Sequence, residues 1–527
     1  MITPTLLAAA LVLTGDPQDG PIVGRDRLDR APPLPAASAT TAAPAPTADV
    51  VLAPFVLEQV VYDANPQVRA LIEPGVRPFI GQTLDAAGVA RLRAAVSASL
   101  GEAAALPIIA VDTRESAAGR LKITAIPGRV GRVGIYGDVQ RDVELMRRYA
   151  ARLAGEAPLT RRTGERYLSL IADIPGARTT LQSAPSATTR GAVDLGFDVD
   201  FKRWETDVAV NNRGSRTLGR TQVTAGVTLN GGVRMGDQTR LAVTLPTDPD
   251  RFQYVSLSHR QPIGYDGAAV TVSAGRLRTR VENLSGDATT ASAVVSWPLI
   301  RGYRSNVVLS GGVDGLNSDN AIFGDLRATE RTRAARASVA WGETWSNAAL
   351  TAGLTLSQGI DGLGAQVDDF TDADFAKVNG RVDLVRAIGR QVRLSGTLAA
   401  QWSDDRAPTA ELFSLGGSEF GRGFSQGLLV GDSGYGAKVE AAWRPGFLPR
   451  QVLGSELYAF ADGGEATVNA RDPFEGRSDA LLSAGVGVRV ALGTRAVIEV
   501  EGARALDDPR PGAGESTRLG LGVTARF

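Results

Sequence analysis

The residues of this chain best suited to a directed ionic contact lie in two glycine-rich stretches. The first reads Leu415-Gly-Gly-Ser-Glu-Phe-Gly-Arg-Gly-Phe and is followed by Gly431-Asp-Ser-Gly-Tyr; the second is Phe460-Ala-Asp-Gly-Gly. Arg422 sits between Gly421 and Gly423, which let the backbone turn sharply beside it. Its planar fork has the reach to grip a carboxylate with two parallel hydrogen bonds. Phe460, Asp462 and Gly464 alternate, so they share one face of a strand. The spacing leaves two readings open: Arg422 latches a folded-back loop onto Asp462, or Arg422 is solvated and Asp462 pairs with another cation.

Catalytic and ligand chemistries find less support. The one histidine, His259, sits in the alternating segment Val255-Ser-Leu-Ser-His-Arg with no Ser/Asp setting around it. The absence of cysteine excludes a disulfide framework and a thiolate metal site. No glycine-rich phosphate loop is present, and a net charge of zero gives no nucleic-acid footprint. The expectation is a protein that is not an enzyme and has no metal, no cofactor and no nucleic-acid partner.

The elements that must position Arg422 and Asp462 follow from hydropathy patterning. No stretch approaches the roughly 20 consecutive apolar residues of a spanning helix. Strands that cross a membrane must then close into a barrel, because lipid offers no partner to an open edge. From 203 to 527 strand follows strand. In the last, Leu519, Leu521, Val523, Ala525 and Phe527 alternate with Arg518, Gly520, Gly522, Thr524 and Arg526. The same dyad puts Arg393, Lys438, Glu440, Glu499 and Glu501 on the opposite, inward face.

About 16 antiparallel strands are expected. Their centres fall near 208, 223, 241, 256, 272, 294, 309, 338, 352, 380, 397, 438, 458, 486, 499 and 522. Short turns (Asn230-Gly-Gly, Ala387-Ile-Gly, Gly493-Thr) alternate with long gaps at 315–331, 359–373, 404–432 and 464–479. The sixth external loop is then 404–432, which holds Arg422.

Ahead of the barrel, residues 1–18 read as a secretion signal, with Leu6 to Leu13 as the apolar stretch. Residues 19–49 form a Pro/Ala-rich linker. Two small α/β units follow, over 50–127 and 128–202. In the first, 50–62 reads as one strand, Thr83 caps a helix carrying Val89, Leu92, Val96 and Leu100, and strands start at Pro107 and Gly119. In the second, Val130–Gly137 and Ala192–Phe201 read as strands around helices at 143–153 and 160–171.

Taken in order, these segments resemble the two-partner secretion transporters (TpsB, haemolysin secretion/activation type). The sixth-loop LGG…RGF motif is matched by Leu415, Gly416, Gly417, Arg422, Gly423 and Phe424. Its GD-x-G continuation is matched by Gly431, Asp432 and Gly434, and F-x-D-x-G by Phe460, Asp462 and Gly464. Pro175-Gly176 looks like the family's P-G in the second POTRA domain, and Asn211 with Gly214 its first-strand signature. Phe527 fits a C-terminal barrel signal.

The resemblance implies a transmembrane β-barrel preceded by two POTRA domains and anchored in the outer membrane, with those domains in the periplasm. It implies a secreted partner protein, such as an adhesin, a cytolysin or a toxin. It also implies contact with outer-membrane lipids and, during biogenesis, with the barrel-assembly machinery. The family's plug helix would have to come from Ile22-Val-Gly-Arg-Asp-Arg-Leu-Asp-Arg. The alternatives are an assembly factor of the same superfamily, which usually carries more POTRA units, and a passive porin.

Overall fold

The computed structural model describes residues 52–527, except 102–106, 139–142, 216, 283, 323–324, 453, 508 and 510–516. The secretion signal, the linker and the plug segment expected from the sequence lie outside the described residues.

Alternation produces the closed antiparallel barrel it predicts. Its strands in chain order are β1 (Trp204–Asn211), β2 (Gln222–Asn230), β3 (Gln238–Pro246), β4 (Phe252–Pro262), β5 (Ala269–Val281) and β6 (Leu284–Arg301). There follow β7 (Ser305–Ile322), β8 (Asp325–Thr344), β9 (Ala348–Gly359), β10 (Ala376–Ile388) and β11 (Val392–Trp402). The set ends with β12 (Ser433–Trp443), β13 (Glu456–Val468), β14 (Arg477–Leu492), β15 (Ala496–Ala505) and β16 (Thr517–Arg526). Every expected centre falls inside one of these strands. β16 closes on β1 from Gly522↔Asn211 to Arg526↔Asp207.

Outward residues are apolar and exposed, as lipid requires. On β12 Tyr435, Val439 and Trp443 face outward, and the two aromatics, eight residues apart, suit the two edges of the apolar band. On β16 Leu519, Leu521 and Val523 do the same. Charged residues at the intervening positions turn into the lumen.

Two expected loops are shorter than the sequence suggests. The gap at 315–331 is largely strand: β7 and β8 run to 18 and 20 residues and stay paired as far as Ile322↔Asp325. Above the apolar band the outward positions turn polar, so the apolar alternation disappears there while the ladder continues. Likewise, β13 runs to Val468 and β14 starts at Arg477, which trims the gap at 464–479.

The N-terminal unit contains two small α/β folds of one topology, the arrangement that two POTRA domains imply. In each, the first strand is parallel to the last and the middle strand antiparallel to it. The first sheet joins Gln59–Asp63, Arg120–Pro127 and Pro107–Asp112, with helices Pro66–Val76 and Ala86–Gly101. Leu57, Ile72, Leu92, Val96, Leu121 and Ile123 are in its core. The second joins Arg129–Gly137, Ala192–Phe201 and Ala177–Pro185, with helices Glu144–Ala154 and Arg161–Ala172.

Thr83 does not cap a helix. It lies in a two-residue strand, Thr83–Leu84, paired with Phe55–Val56, while Asp85 Oδ1 accepts the Gly88 N–H at 2.7 Å. Burying Leu84 draws Thr83 into that strand and leaves capping to the aspartate. The described part of the segment expected as one strand, 52–62, accordingly holds two, with a break at Leu57–Glu58. Thr160 does cap its helix, accepting the Thr163 N–H.

Candidate functional site

Between β11 and β12 the chain carries too many large apolar side chains to stand free in water. Within 403–432, Phe413, Leu415, Phe420, Phe424 and Leu429 are all buried, packed with Ala466 of β13 and Leu481 of β14. Each burial stabilises the loop by about 1.5–3 kcal/mol. Two short strands organise it, Phe413–Leu415 and Leu429–Gly431, paired antiparallel. At the end of that hairpin Gly416 and Gly417 donate to the carbonyls of Phe420 and Gly421, closing the tip into a turn.

Two glycines at the tip are required by geometry. Gly421 has φ +95°, where a side chain would be strained. A Cβ on Gly423 would lie 2.7 Å from the backbone N of Ala505 and 2.8 Å from the carbonyl carbon of Arg504. Only glycine lets the tip lie this close to β15.

The tip converges on β12–β15. Asp462, on β13 and 2 % exposed, accepts the N–H groups of Gly421 (3.0 Å) and Arg422 (3.1 Å) at Oδ1. The Ser483 hydroxyl of β14 donates to the same oxygen. Arg422 Nε lies 3.1 Å from Asp462 Oδ2 as a contact ion pair, without hydrogen-bond alignment.

The guanidinium therefore does not form the two-bond grip on Asp462 expected from the sequence. Its remaining nitrogens are spread over two more carboxylates: Nη1 donates to Glu501 Oε2 at 3.0 Å and Nη2 to Glu440 Oε2 at 3.4 Å. The physical reason is competition. The loop backbone and Ser483 occupy Asp462 Oδ1, which turns the fork towards Glu501 and Glu440. Its flat face lies over the Phe460 ring, 3.8 Å from the centroid, a cation–π contact.

These carboxylates belong to a larger lumenal network. Arg489 holds Glu440 at 2.6 and 2.9 Å and Glu499 at 2.8 Å. Arg393 pairs with Glu440 and Glu456. Arg213, from the loop after β1, reaches Glu499 (2.7 Å) and Glu501 (3.1 Å). The Tyr458 hydroxyl lies 2.8 Å from Glu499 and 2.9 Å from Glu501. Parity alone puts Arg393, Glu440, Glu499 and Glu501 on the inner face; Arg213, Tyr458, Ser483 and Arg489 carry no local signal of their role.

The other motif residues have different positions. Asp432 is fully buried at the base of the loop. It accepts N–H groups of Ala407 (2.7 Å) and Asn469 (2.8 Å) and both Nη atoms of Arg471 (2.8 Å each). Gly431 precedes it in the short strand, Gly434 lies on β12 opposite Ala466, and Gly464 on β13 opposite Gly436. Leu415 is fully buried, and the Phe424 carbonyl accepts from Arg518 at 2.5 Å.

Asn211 ends β1 and accepts the Arg213 N–H at 2.9 Å, while the Gly214 N–H donates to the Arg220 carbonyl. Pro175 and Gly176 follow the helix Arg161–Ala172 in the N-terminal unit. Phe527 exchanges two backbone hydrogen bonds with Thr206 of β1. The His259 ring bonds Thr239 at 2.8 Å, and among the described residues no group of His, Cys, Asp and Glu is arranged to hold a metal ion.

Comparison with known proteins agrees with this geometry. The model of the family "Haemolysin secretion/activation protein ShlB/FhaC/HecB" matches residues 197–490. The outer membrane transporter CdiB of Escherichia coli is 25% identical over 308 residues, 54% of this chain and 51% of the relative; the match thus spans about half of that relative's length. The solved structure of CdiB from Escherichia coli has a TM-score of 0.70 at 19% identity, covering 100% of this chain and 99% of that one. CdiB from Acinetobacter baumannii has 0.63 at 15%, covering 91% of each chain. BamA from Haemophilus ducreyi lacking POTRA domains 1–3 has 0.56 at 13%, covering 90% of this chain and 100% of that one. The structural likenesses establish the fold, and because the family model spans more than half of the sequence, the chain belongs to the haemolysin secretion/activation family of outer-membrane β-barrel proteins.

Proposed function

We propose that this protein transports one exported partner protein across the outer membrane, taking it up unfolded from the periplasm and passing it through the barrel to the cell surface. The observation that carries this reading is the loop 403–432, folded into the lumen of a barrel of this family and tied down at Arg422. Such a loop closes the conduit at rest and must move to let a chain pass. Arg422, Asp462 and Phe460 form its latch, with Gly423 and Leu415 shaping the contact.

Residues 50–127 and 128–202 act as the two POTRA domains. In the second, Arg129–Gly137 is an edge strand of its sheet and Tyr136 is exposed. An edge of this kind captures an extended client by adding a strand to the sheet, through main-chain hydrogen bonds that do not demand one sequence. The proposed role is transport rather than catalysis.

The test is deletion and complementation. Removing the gene should eliminate one specific protein from the surface or medium, and the intact gene should restore it. Broad loss of outer-membrane proteins would instead assign the chain to assembly of other barrels. Unchanged surface and secreted proteins would overturn both readings.

A further inference from the structure

The base of the loop's hairpin carries a buried carboxylate that no motif singles out. Glu411 lies two residues before the short strand Phe413–Leu415 and is 6% exposed. Its carboxylate meets two cations on a different arc of the barrel from Arg422. Arg336 of β8 approaches with Nη2 at 2.8 Å and Nη1 at 3.1 Å, and Lys377 Nζ of β10 at 2.8 Å. Lys377 also donates to the Glu411 carbonyl at 2.9 Å, as does Gln401 Nε2 of β11 at 2.8 Å. Arg336 is itself aligned by Asp314 of β7, at 2.6 and 3.0 Å, and by the Ser357 hydroxyl of β9 at 2.9 Å.

The loop thus presents a cation, Arg422, to a carboxylate-rich wall and an anion, Glu411, to a cationic wall. The two contacts lie eleven residues apart, Glu411 ahead of the first short strand and Arg422 in the connection between the two. The wall groups at the second point are aligned by wall neighbours, so the receiving site is organised by β7–β11 rather than by the loop. Withdrawing Glu411 removes the carboxylate that Arg336 and Lys377 share.

We propose that Glu411 is a second positioning residue of the closed state, and that Arg336 and Lys377 form a dock that holds the stem of the loop independently of the Arg422 latch. Opening the conduit then requires both contacts to break. This rests on the transport reading above only in taking the loop as the closure.

The experiment is single-channel conductance of the full-length protein in planar bilayers, comparing wild type, E411Q, E411D, R422M and the double variant E411Q/R422M. Heat-modifiable migration on gels reports barrel folding. The wild type should stay mostly closed. E411Q should raise open probability at least tenfold, E411D should keep most of the closure because it retains the charge, and the double variant should exceed either single one. Should E411Q fail to assemble, K377M alters the dock from the wall side and should shift gating in the same direction. A folded E411Q barrel with wild-type gating overturns the proposal, as does a double variant no more open than R422M alone. Conductance needs no client, so either result would leave the transport reading to its own secretion test.

Discussion

Replacing Arg422 by methionine keeps most of the side chain's length and apolar stem and removes the charge together with its N–H donors and its flat face on Phe460. The consequences for its three carboxylates differ. Glu440 keeps Arg489 at 2.6 and 2.9 Å and Arg393 at 3.1 Å, and Glu501 keeps Arg213 at 3.1 Å. Asp462 loses the cation paired with it and keeps only neutral donors. Breaking a buried pair by removing one partner costs roughly 3–5 kcal/mol. At about 1.4 kcal/mol per tenfold, that shifts the docked-to-released ratio of the tip by roughly 100- to 5,000-fold. The aromatic cluster remains, so the loop is loosened rather than expelled and the ladder of strands is untouched. Channel recordings of R422M should therefore show frequent openings from a barrel that still runs as folded on gels. The control is Glu440→Gln. Its contact with Arg422 is 3.4 Å long and its other cations are closer, so the shift should stay below tenfold. If E440Q opened the barrel as much as R422M, Asp462 would not be the carboxylate on which the latch depends, and the ranking by residual partners would be refuted.

Gly423→Ala should release the tip about as strongly as R422M, because its Cβ would meet the backbone of β15 rather than a movable side chain; the same recordings check it. Asp432→Ala removes the acceptor shared by Ala407, Asn469 and Arg471, so limited proteolysis should cut within 403–432 at least several-fold faster while the barrel core stays intact. In the loops outside the membrane, hydrogen bonding to Arg406 holds the Asp372 carboxyl below its usual range. That pair stabilises the folded state above an unfolded carboxyl value of about 3.9 and ceases to do so as pH falls through the lower folded value. Protease protection of 360–375 should thus be unchanged between pH 7 and pH 5 and decline only below about pH 4; loss already at pH 6 would contradict it.

What the sequence made legible follows from which constraint each segment obeys. Strands such as β12 and β16 meet lipid on one face and the lumen on the other, so their period of two is unmistakable. The upper halves of β7 and β8 escape detection because their outward positions are no longer apolar: Asn317, Asp319, Arg331 and Arg333 take them, and the stretch reads as loop. The helix Pro66–Val76 is obscured by Pro74 and Gly75 inside it. Its start was nonetheless written in Asn65-Pro66, a cap whose side chain accepts the Val68 N–H and a proline in the first turn. At the site, parity identifies Glu440, Glu499 and Glu501 as inward but gives no height along the barrel. The grouping of Arg422 with Glu501, and of Glu411 with Arg336, joins residues 79 and 75 positions apart. Only strand register across the barrel determines those pairs.

The arrangement also bears on how a tightly held loop can still be released. If Arg422 were the sole neutraliser of its wall, undocking would leave several buried carboxylates unpaired and would be prohibitive. Instead the wall groups pair with one another: Arg489 with Glu440 and Glu499, Arg393 with Glu456, Arg213 with Glu499. The wall is organised largely by its own pairs, and the charge of Arg422 adds chiefly the pairing of Asp462 and the contact with the Phe460 face. The electrostatic part of the difference between docked and released tips is thereby confined to a few groups. A gap of a few kcal/mol is what a two-state element needs if a client is to shift it by differential binding. Adding a cation to the wall near Asp462, such as Ser483→Lys, should weaken loop closure by competing for the same carboxylate. Conductance that stayed at the wild-type level in a folded S483K barrel would show that Asp462 does not set the gap.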